Sequence, residues 1–97
     1  MELDWLGYYR NLLGNRYGKV KTLCRGGSWL YTESGKVKIC VPELKPKGEG
    51  IPLPNDLASE MLEDEVLFLE TDRGLIAKDG MRYIFYPEGQ YELVWKK

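Results

Sequence analysis

Residues 65–95, EVLFLETDRGLIAKDGMRYIFYPEGQYELVW, decide the fold. In this stretch, runs rich in β-branched and aromatic residues alternate with short clusters of glycine, aspartate and proline. Such alternation is typical of strands joined by tight turns. Asp79-Gly80 is the strongest of the turn signals, because a two-residue hairpin loop needs residues that tolerate positive φ. The stretch therefore predicts four short antiparallel strands, a meander over residues 65–96.

The turns also predict which residues pair across this meander. A turn centred on Asp79-Gly80 sets Ile76 opposite Tyr83. A three-residue Pro-Glu-Gly loop then sets Phe85 opposite Tyr91. Because side chains alternate between the faces of a strand, this register collects most large apolar side chains on one face. The other face mixes polar residues with a second apolar set.

The N-terminal half predicts a helix followed by another meander. Residues 4–13 carry aromatic and leucine side chains at helical spacing, and Asp4 is a good N-cap. Residues 19–41 contain three strand-like runs, separated by glycine-containing turns. Two-residue turns set Leu23 opposite Leu30 on the predicted core face.

The middle of the chain predicts a connector and a second helix. Residues 42–55 are rich in proline, glycine and lysine, which favours an extended connector, and residues 56–63 predict a short helix. The whole chain, residues 1–97, is then a single α+β domain. It is β-rich and antiparallel, with about seven short strands in a three-strand and a four-strand meander and two short helices. A partly closed small barrel is the alternative architecture.

Composition narrows the classes of protein to consider. The 97 residues include no apolar run of membrane-spanning length and no signal-peptide pattern, so we expect a cytoplasmic protein without a membrane partner. The net charge is −1, but residues 1–50 carry nine Lys/Arg and five Asp/Glu, whereas residues 51–97 carry five and ten. This asymmetry predicts one basic and one acidic surface. The absence of histidine and the high charged fraction, 30%, are features towards which heat-adapted proteins lean.

The sequence contains no motif that identifies an enzyme. Without histidine, catalysis by a Ser-His or Cys-His pair is excluded, and Cys24 and Cys40 are spaced unlike any zinc or redox site. In the predicted register the two cysteines lie about 9.5 Å apart, too far for a disulfide. Glu43-Leu44-Lys45 is similar to one element of metal-dependent nucleases but has no partner aspartate. We therefore predict no catalytic residues, no metal and no cofactor.

One predicted strand surface combines aromatic rings with lysines. Trp29 and Tyr31 share a face with Lys36 and Lys38, and further cations lie nearby in the sequence. Rings stack on nucleobases and lysines neutralise phosphates, so such a surface suits a single-stranded nucleic acid. The alternative is that the helix over residues 4–13 covers these rings. The candidate nucleic-acid surface comprises Lys19, Lys21, Arg25, Trp29, Tyr31, Lys36 and Lys38.

The second apolar face of the C-terminal meander predicts a site for a protein partner. If no helix covers this face, its side chains form a patch suited to a partner or to a second copy of the chain in a homodimer. We therefore expect a small non-enzymatic interaction module or accessory subunit, and nucleic-acid binding is the alternative function. The candidate partner surface comprises Val66, Phe68, Leu75, Ile84 and Val94.

Overall fold

A computed structural model describes residues 4–26, 29–38 and 42–95. These ranges contain two helices and nine strands, and the strands pair antiparallel, which confirms the predicted α+β class. The helices are α1, Trp5–Leu13, and α2, Asn55–Glu63. The strands are β1 Val20–Arg25, β2 Trp29–Thr32, β3 Gly35–Lys38, β4 Glu43–Pro46, β5 Ile51–Pro52, β6 Val66–Thr71, β7 Gly74–Asp79, β8 Arg82–Pro87 and β9 Tyr91–Val94. Neither of these helices is long and apolar enough to cross a membrane.

A seven-stranded sheet forms the centre of the molecule, in the order β3-β2-β1-β6-β7-β8-β5. The pairing of β1 with β6 joins the N-terminal strands to the C-terminal ones. Strands β3 and β5 are the two edges, so over the described residues the sheet is open rather than a partly closed barrel. Strands β4 and β9 pair separately as a two-stranded sheet.

The last strand does not pair as the sequence predicts. Strand β9 pairs with β4, with Leu44 opposite Leu93, so the predicted pairing of Phe85 with Tyr91 is wrong. The free edge of β8 is instead taken by β5, which sets Ile51 opposite Phe85. The proline-rich connector thus supplies two short strands, and their pairing partners lie far away in the sequence.

The β7–β8 turn is centred one residue later than predicted. Asp79 pairs with Arg82, and Ile76 lies opposite Phe85 rather than Tyr83. Gly80, with a φ of 64°, therefore occupies the first central position, as in a type II′ turn. The cross-strand partner changes by two residues, so Ile76 still shares a face with both Tyr83 and Phe85.

The β1–β2 register changes the faces. Arg25 pairs with Trp29, which leaves three residues in the connection instead of two. Leu23 consequently lies opposite Tyr31, and Leu30 lies opposite Cys24. Because the partner changes by one residue, Leu30 leaves the predicted core face, and Tyr31 joins Leu23 on it.

Two apolar clusters fill the two sides of the seven-stranded sheet. The first lies between the sheet and the helices, and the second lies between the sheet and the β4–β9 pair. Helix α1 is held in place by its N-cap, where Asp4 Oδ1 accepts a hydrogen bond from the Gly7 main-chain nitrogen at 3.1 Å. Buried members of the first cluster include Tyr9, Leu23, Met61, Leu69 and Ile76, and those of the second include Cys24, Phe68, Leu75, Ile84 and Tyr86.

Candidate nucleic-acid interface

The hairpin β2–β3 brings rings and cations together at one edge of the sheet. Trp29 lies opposite Lys38, and Tyr31 lies opposite Lys36. Directly opposite residues of an antiparallel pair share a face, and so do residues two apart on one strand. Arg25 joins the same face because it pairs with Trp29. We call Arg25, Trp29, Tyr31, Lys36 and Lys38 the aromatic–basic surface.

The lysine ammonium groups of this surface lie over the tryptophan ring. Lys36 Nζ is 4.7 Å from the centroid of the Trp29 ring, and Lys38 Nζ is 5.9 Å from it. Lys36 Nζ is also 6.0 Å from the centroid of the Tyr31 ring. These distances are those of cation–π contacts, so the two lysines and the ring form one unit.

Helix α1 covers this surface only in part. The Trp5 ring lies 6.4 Å from the Tyr31 ring between centroids, tilted by 55°. The Trp5 ring also contacts Arg25, whose guanidinium carbon lies 4.2 Å from the ring centroid. Arg25 Nε donates a hydrogen bond to the Asp64 carbonyl oxygen at 2.9 Å. Trp29 and Tyr31 are both partly buried, and Lys36 and Lys38 are exposed. The helix therefore borders the aromatic–basic surface without closing it.

The other two predicted cations are not part of this surface. Lys21 is exposed at an irregularity in the pairing of β1 with β6. Lys19 Nζ lies 3.9 Å from Glu33 Oε1, which also accepts a hydrogen bond from Arg10 Nη2 at 2.6 Å. That hydrogen bond, with the charges of Arg10 and Lys19, lowers the pKa of the Glu33 carboxyl group.

A small cavity adjoins the aromatic–basic surface where α1 begins. Its volume is about 130 Å³, and it lies between the first residues of α1 and the turn that joins β2 to β3. The sequence analysis did not predict that Trp5 lines this cavity, because its position in the helix is typical of a residue that faces the core. The cavity is lined by Asp4, Trp5, Leu6, Tyr31, Thr32, Gly35 and Lys36.

The predicted partner surface is not an exposed patch. Val66, Phe68, Leu75 and Ile84 are at most 7% exposed, and Val94 is partly buried. The cover is not a helix but the β4–β9 sheet, whose leucines pack on the second apolar cluster. Val66 instead belongs to the first cluster, because the β1–β6 pairing skips Leu67. Binding of a protein partner stays a prediction, but these five residues do not form the exposed surface on which it was based.

Two further cavities offer no comparable combination of groups. One of about 260 Å³ lies between the two sheets, and its side chains are almost all apolar. The other, of about 280 Å³, has mixed charge, because Arg10, Lys19 and Arg73 share it with the Asp72 carboxylate. Among the residues that the structure describes, no cluster of acidic residues and cysteine could hold a metal ion.

Cys24 is a buried free thiol, and burial raises its pKa. Cys40 lies outside the described residues, so the predicted lack of a disulfide stays a prediction. A buried thiol with a raised pKa is a poor nucleophile, because the thiolate is the reactive form. Cys24 therefore behaves as a small apolar core residue.

Comparisons of the chain with protein-family models, curated proteins and solved structures found no match. A functional interpretation therefore depends on the geometry of the chain itself. The aromatic–basic surface is the feature with the clearest chemistry, since it places cations and ring faces at contact distance of one another.

Proposed function

We propose that this protein binds single-stranded nucleic acid through the aromatic–basic surface. The observation that carries the proposal is the Trp29 ring with two lysine ammonium groups over it, at 4.7 and 5.9 Å. A nucleotide needs both groups at once, a ring face for the base and a cation for the phosphate. The two requirements meet here within one hairpin.

Replacement of the lysine ammonium groups by a nucleobase at the Trp29 ring is energetically favourable. A cation–π contact at an exposed site contributes about 0.5–1 kcal/mol. Stacking of a base on an aromatic side chain contributes about 1–3 kcal/mol, and the released ammonium group gains a phosphate contact. Binding therefore replaces a weaker contact at Trp29 with a stronger one.

The charge distribution supports the same proposal. Residues 10–47 contain nine Lys/Arg and two Asp/Glu, a charge of +7, and the remaining residues carry −8 to give the total of −1. One of the two acidic residues, Glu33, is neutralised locally by Arg10 and Lys19. A field of this kind attracts a phosphate backbone and orients the basic side towards it.

Single strands fit the surface better than a duplex. In a duplex each base face is covered by its neighbours, whereas an unpaired base exposes a face that stacks on tryptophan or tyrosine. The rings lie on a short strand pair rather than on a helix that could enter a groove. The expected order of affinity is therefore single strand above duplex.

Fluorescence anisotropy with labelled single-stranded and duplex oligonucleotides tests the proposal. Affinity should fall as salt rises, with a slope of about 0.7 per phosphate neutralised. The double variant Lys36→Glu, Lys38→Glu should weaken binding and lower that slope by more than 1. Trp29→Ala should cost about 1–3 kcal/mol of binding free energy.

Matched controls come from positions outside the aromatic–basic surface. The double variant Lys45→Glu, Lys78→Glu makes the same change in net charge at two other exposed lysines. Trp95→Ala removes a tryptophan that is 47% exposed and packs on Phe68 in the second cluster. Both controls should bind nearly as the wild type does. Absence of binding at low salt, or equal losses in the controls, would rule the proposal out.

A further inference from the structure

We infer that the cavity of about 130 Å³ beside α1 is a pocket for one nucleobase and that it selects guanine. This inference rests on the proposed function and adds a base preference to it. Two ring side chains, Trp5 and Tyr31, line the cavity. Tyr31 is the ring on which a base would stack, because the Trp5 ring already contacts the Arg25 guanidinium at 4.2 Å and stacks with Tyr9. The same cavity is lined by one carboxylate, Asp4, and one ammonium group, Lys36. This pair of opposite charges is what distinguishes one base from another.

The carboxylate matches one edge of guanine. Asp4 is exposed, and one of its oxygens already accepts the N-cap hydrogen bond from Gly7. A carboxylate accepts several hydrogen bonds and donates none. Guanine alone among the common bases presents two adjacent donors, N1–H and N2–H, on its Watson–Crick edge, and unpaired bases are read on that edge. Uracil offers a single donor between two acceptors, so it fits the carboxylate poorly.

The ammonium group matches the other edge. Guanine O6 and N7 are both acceptors, and lysine is one of the two side chains that commonly bind them. Adenine carries an amino donor in place of O6, which an ammonium group repels. The Lys36 Nζ atom lies 6.0 Å from the Tyr31 ring centroid, so a base stacked on Tyr31 is within reach of it. Guanine is therefore the base that satisfies Asp4 and Lys36 together.

The test uses a uridine oligonucleotide that carries one central guanosine, adenosine, cytidine or inosine. Two good hydrogen bonds to one base correspond to about a tenfold preference, so the guanosine oligonucleotide should bind about tenfold more tightly than the all-uridine one. Inosine lacks the N2 amino group, so the affinity of its oligonucleotide should lie between those of the guanosine and all-uridine oligonucleotides. Fluorescence anisotropy at low salt measures all of these affinities.

Asp4→Asn is the decisive variant, because asparagine is as good an N-cap as aspartate and the helix is preserved. It should reduce the preference for guanosine, taken as the ratio of the guanosine and all-uridine affinities of the same variant, to less than twofold. Asp56→Asn, the same change at an exposed position in α2, should keep the full preference. Circular dichroism checks that both variants fold, and the inosine comparison needs no variant at all.

The outcomes separate this inference from the proposed function. Equal affinity for all the oligonucleotides, or a guanosine preference that survives Asp4→Asn, overturns the guanine pocket and leaves single-strand binding intact. No binding of any oligonucleotide at low salt overturns both. A guanosine preference lost in Asp4→Asn and kept in Asp56→Asn establishes the pocket.

Discussion

Replacement of Tyr83 should change the response of stability to pH. Its ring is completely buried, and its hydroxyl donates a hydrogen bond to the Val66 carbonyl oxygen. Burial, with a smaller contribution from the charge of Asp64, raises the pKa of Tyr83 to about 12 from 10.0. The folded protein therefore keeps this proton at pH values at which the unfolded chain loses it.

The sign and size of the effect follow from that difference. Because the unfolded state binds fewer protons above pH 10, the stability contributed by Tyr83 is complete below that pH and is lost as pH rises towards 12. A shift of about two pKa units corresponds to a loss of about 3 kcal/mol across that window. The Tyr83→Phe variant lacks the hydroxyl, so it escapes this loss. At neutral pH it should instead be less stable by about 1–2 kcal/mol, since the Val66 carbonyl loses its donor.

Urea unfolding followed by tryptophan fluorescence, at neutral pH and at intervals up to pH 12, measures the difference between Tyr83→Phe and the wild type. The free energy of unfolding of Tyr83→Phe should be lower than that of the wild type at neutral pH. This difference should shrink above pH 10 and vanish or change sign near pH 12. Ile76→Val is the control, because it removes one buried methyl group, costs about 0.5–1.5 kcal/mol and has no titrating group. A deficit of Tyr83→Phe that is as constant with pH as that of the control would refute the reasoning.

Three other predictions concern stability. Phe85→Ala and Tyr86→Ala should each cost about 3 kcal/mol in denaturant melts, because both rings are buried, on opposite sides of β8; a much smaller loss for Tyr86 would contradict the described packing. Glu65→Gly should raise the melting temperature, because Glu65 has a φ of 59°, at which any residue with a Cβ atom costs about 1 kcal/mol of stability. Glu65→Ala keeps the Cβ atom, so it should not raise the melting temperature. Gly74→Ala should destabilise by about 1–3 kcal/mol, since its Cβ would meet the Tyr86 carbonyl oxygen at 2.2 Å, and an unchanged unfolding midpoint would argue against that close approach.

The sequence predicts well what depends on neighbouring residues. Helix α1 begins at the predicted cap, and Trp29 shares a face with Lys38 because both belong to one tight hairpin. At β7–β8 the turn is predicted one residue too early, but the predicted faces are still correct, because the partner of Ile76 changes by two residues. The shared face of Trp29, Tyr31, Lys36 and Lys38 could therefore be predicted from local pattern, whereas Lys19 and Lys21, predicted with them, lie outside the aromatic–basic surface.

Features that depend on distant residues could not be predicted in the same way. At β1–β2 one extra residue in the connection reverses the face of Leu30, and glycine-rich turns do not reveal their own length. The β4–β9 pair joins a proline-rich segment to the end of the chain, so no local pattern predicts that it covers Phe68 and Leu75. The position of Trp5 beside the cavity of about 130 Å³ likewise depends on how α1 packs on β2.

The pairing of β1 with β6 has a consequence for how the chain assembles. Arg25 lies opposite Val66, so the middle of the sheet forms only after a loop of about forty residues has closed, which slows folding. A break near residue 50 would leave β1 and β4 in one fragment and their partners β6 and β9 in the other. The fragments would carry opposite net charges, +4 and −5, from nine basic and five acidic residues against five and ten. Two such fragments, produced separately and mixed, would attract each other and complete one another's sheets, most readily in dilute salt.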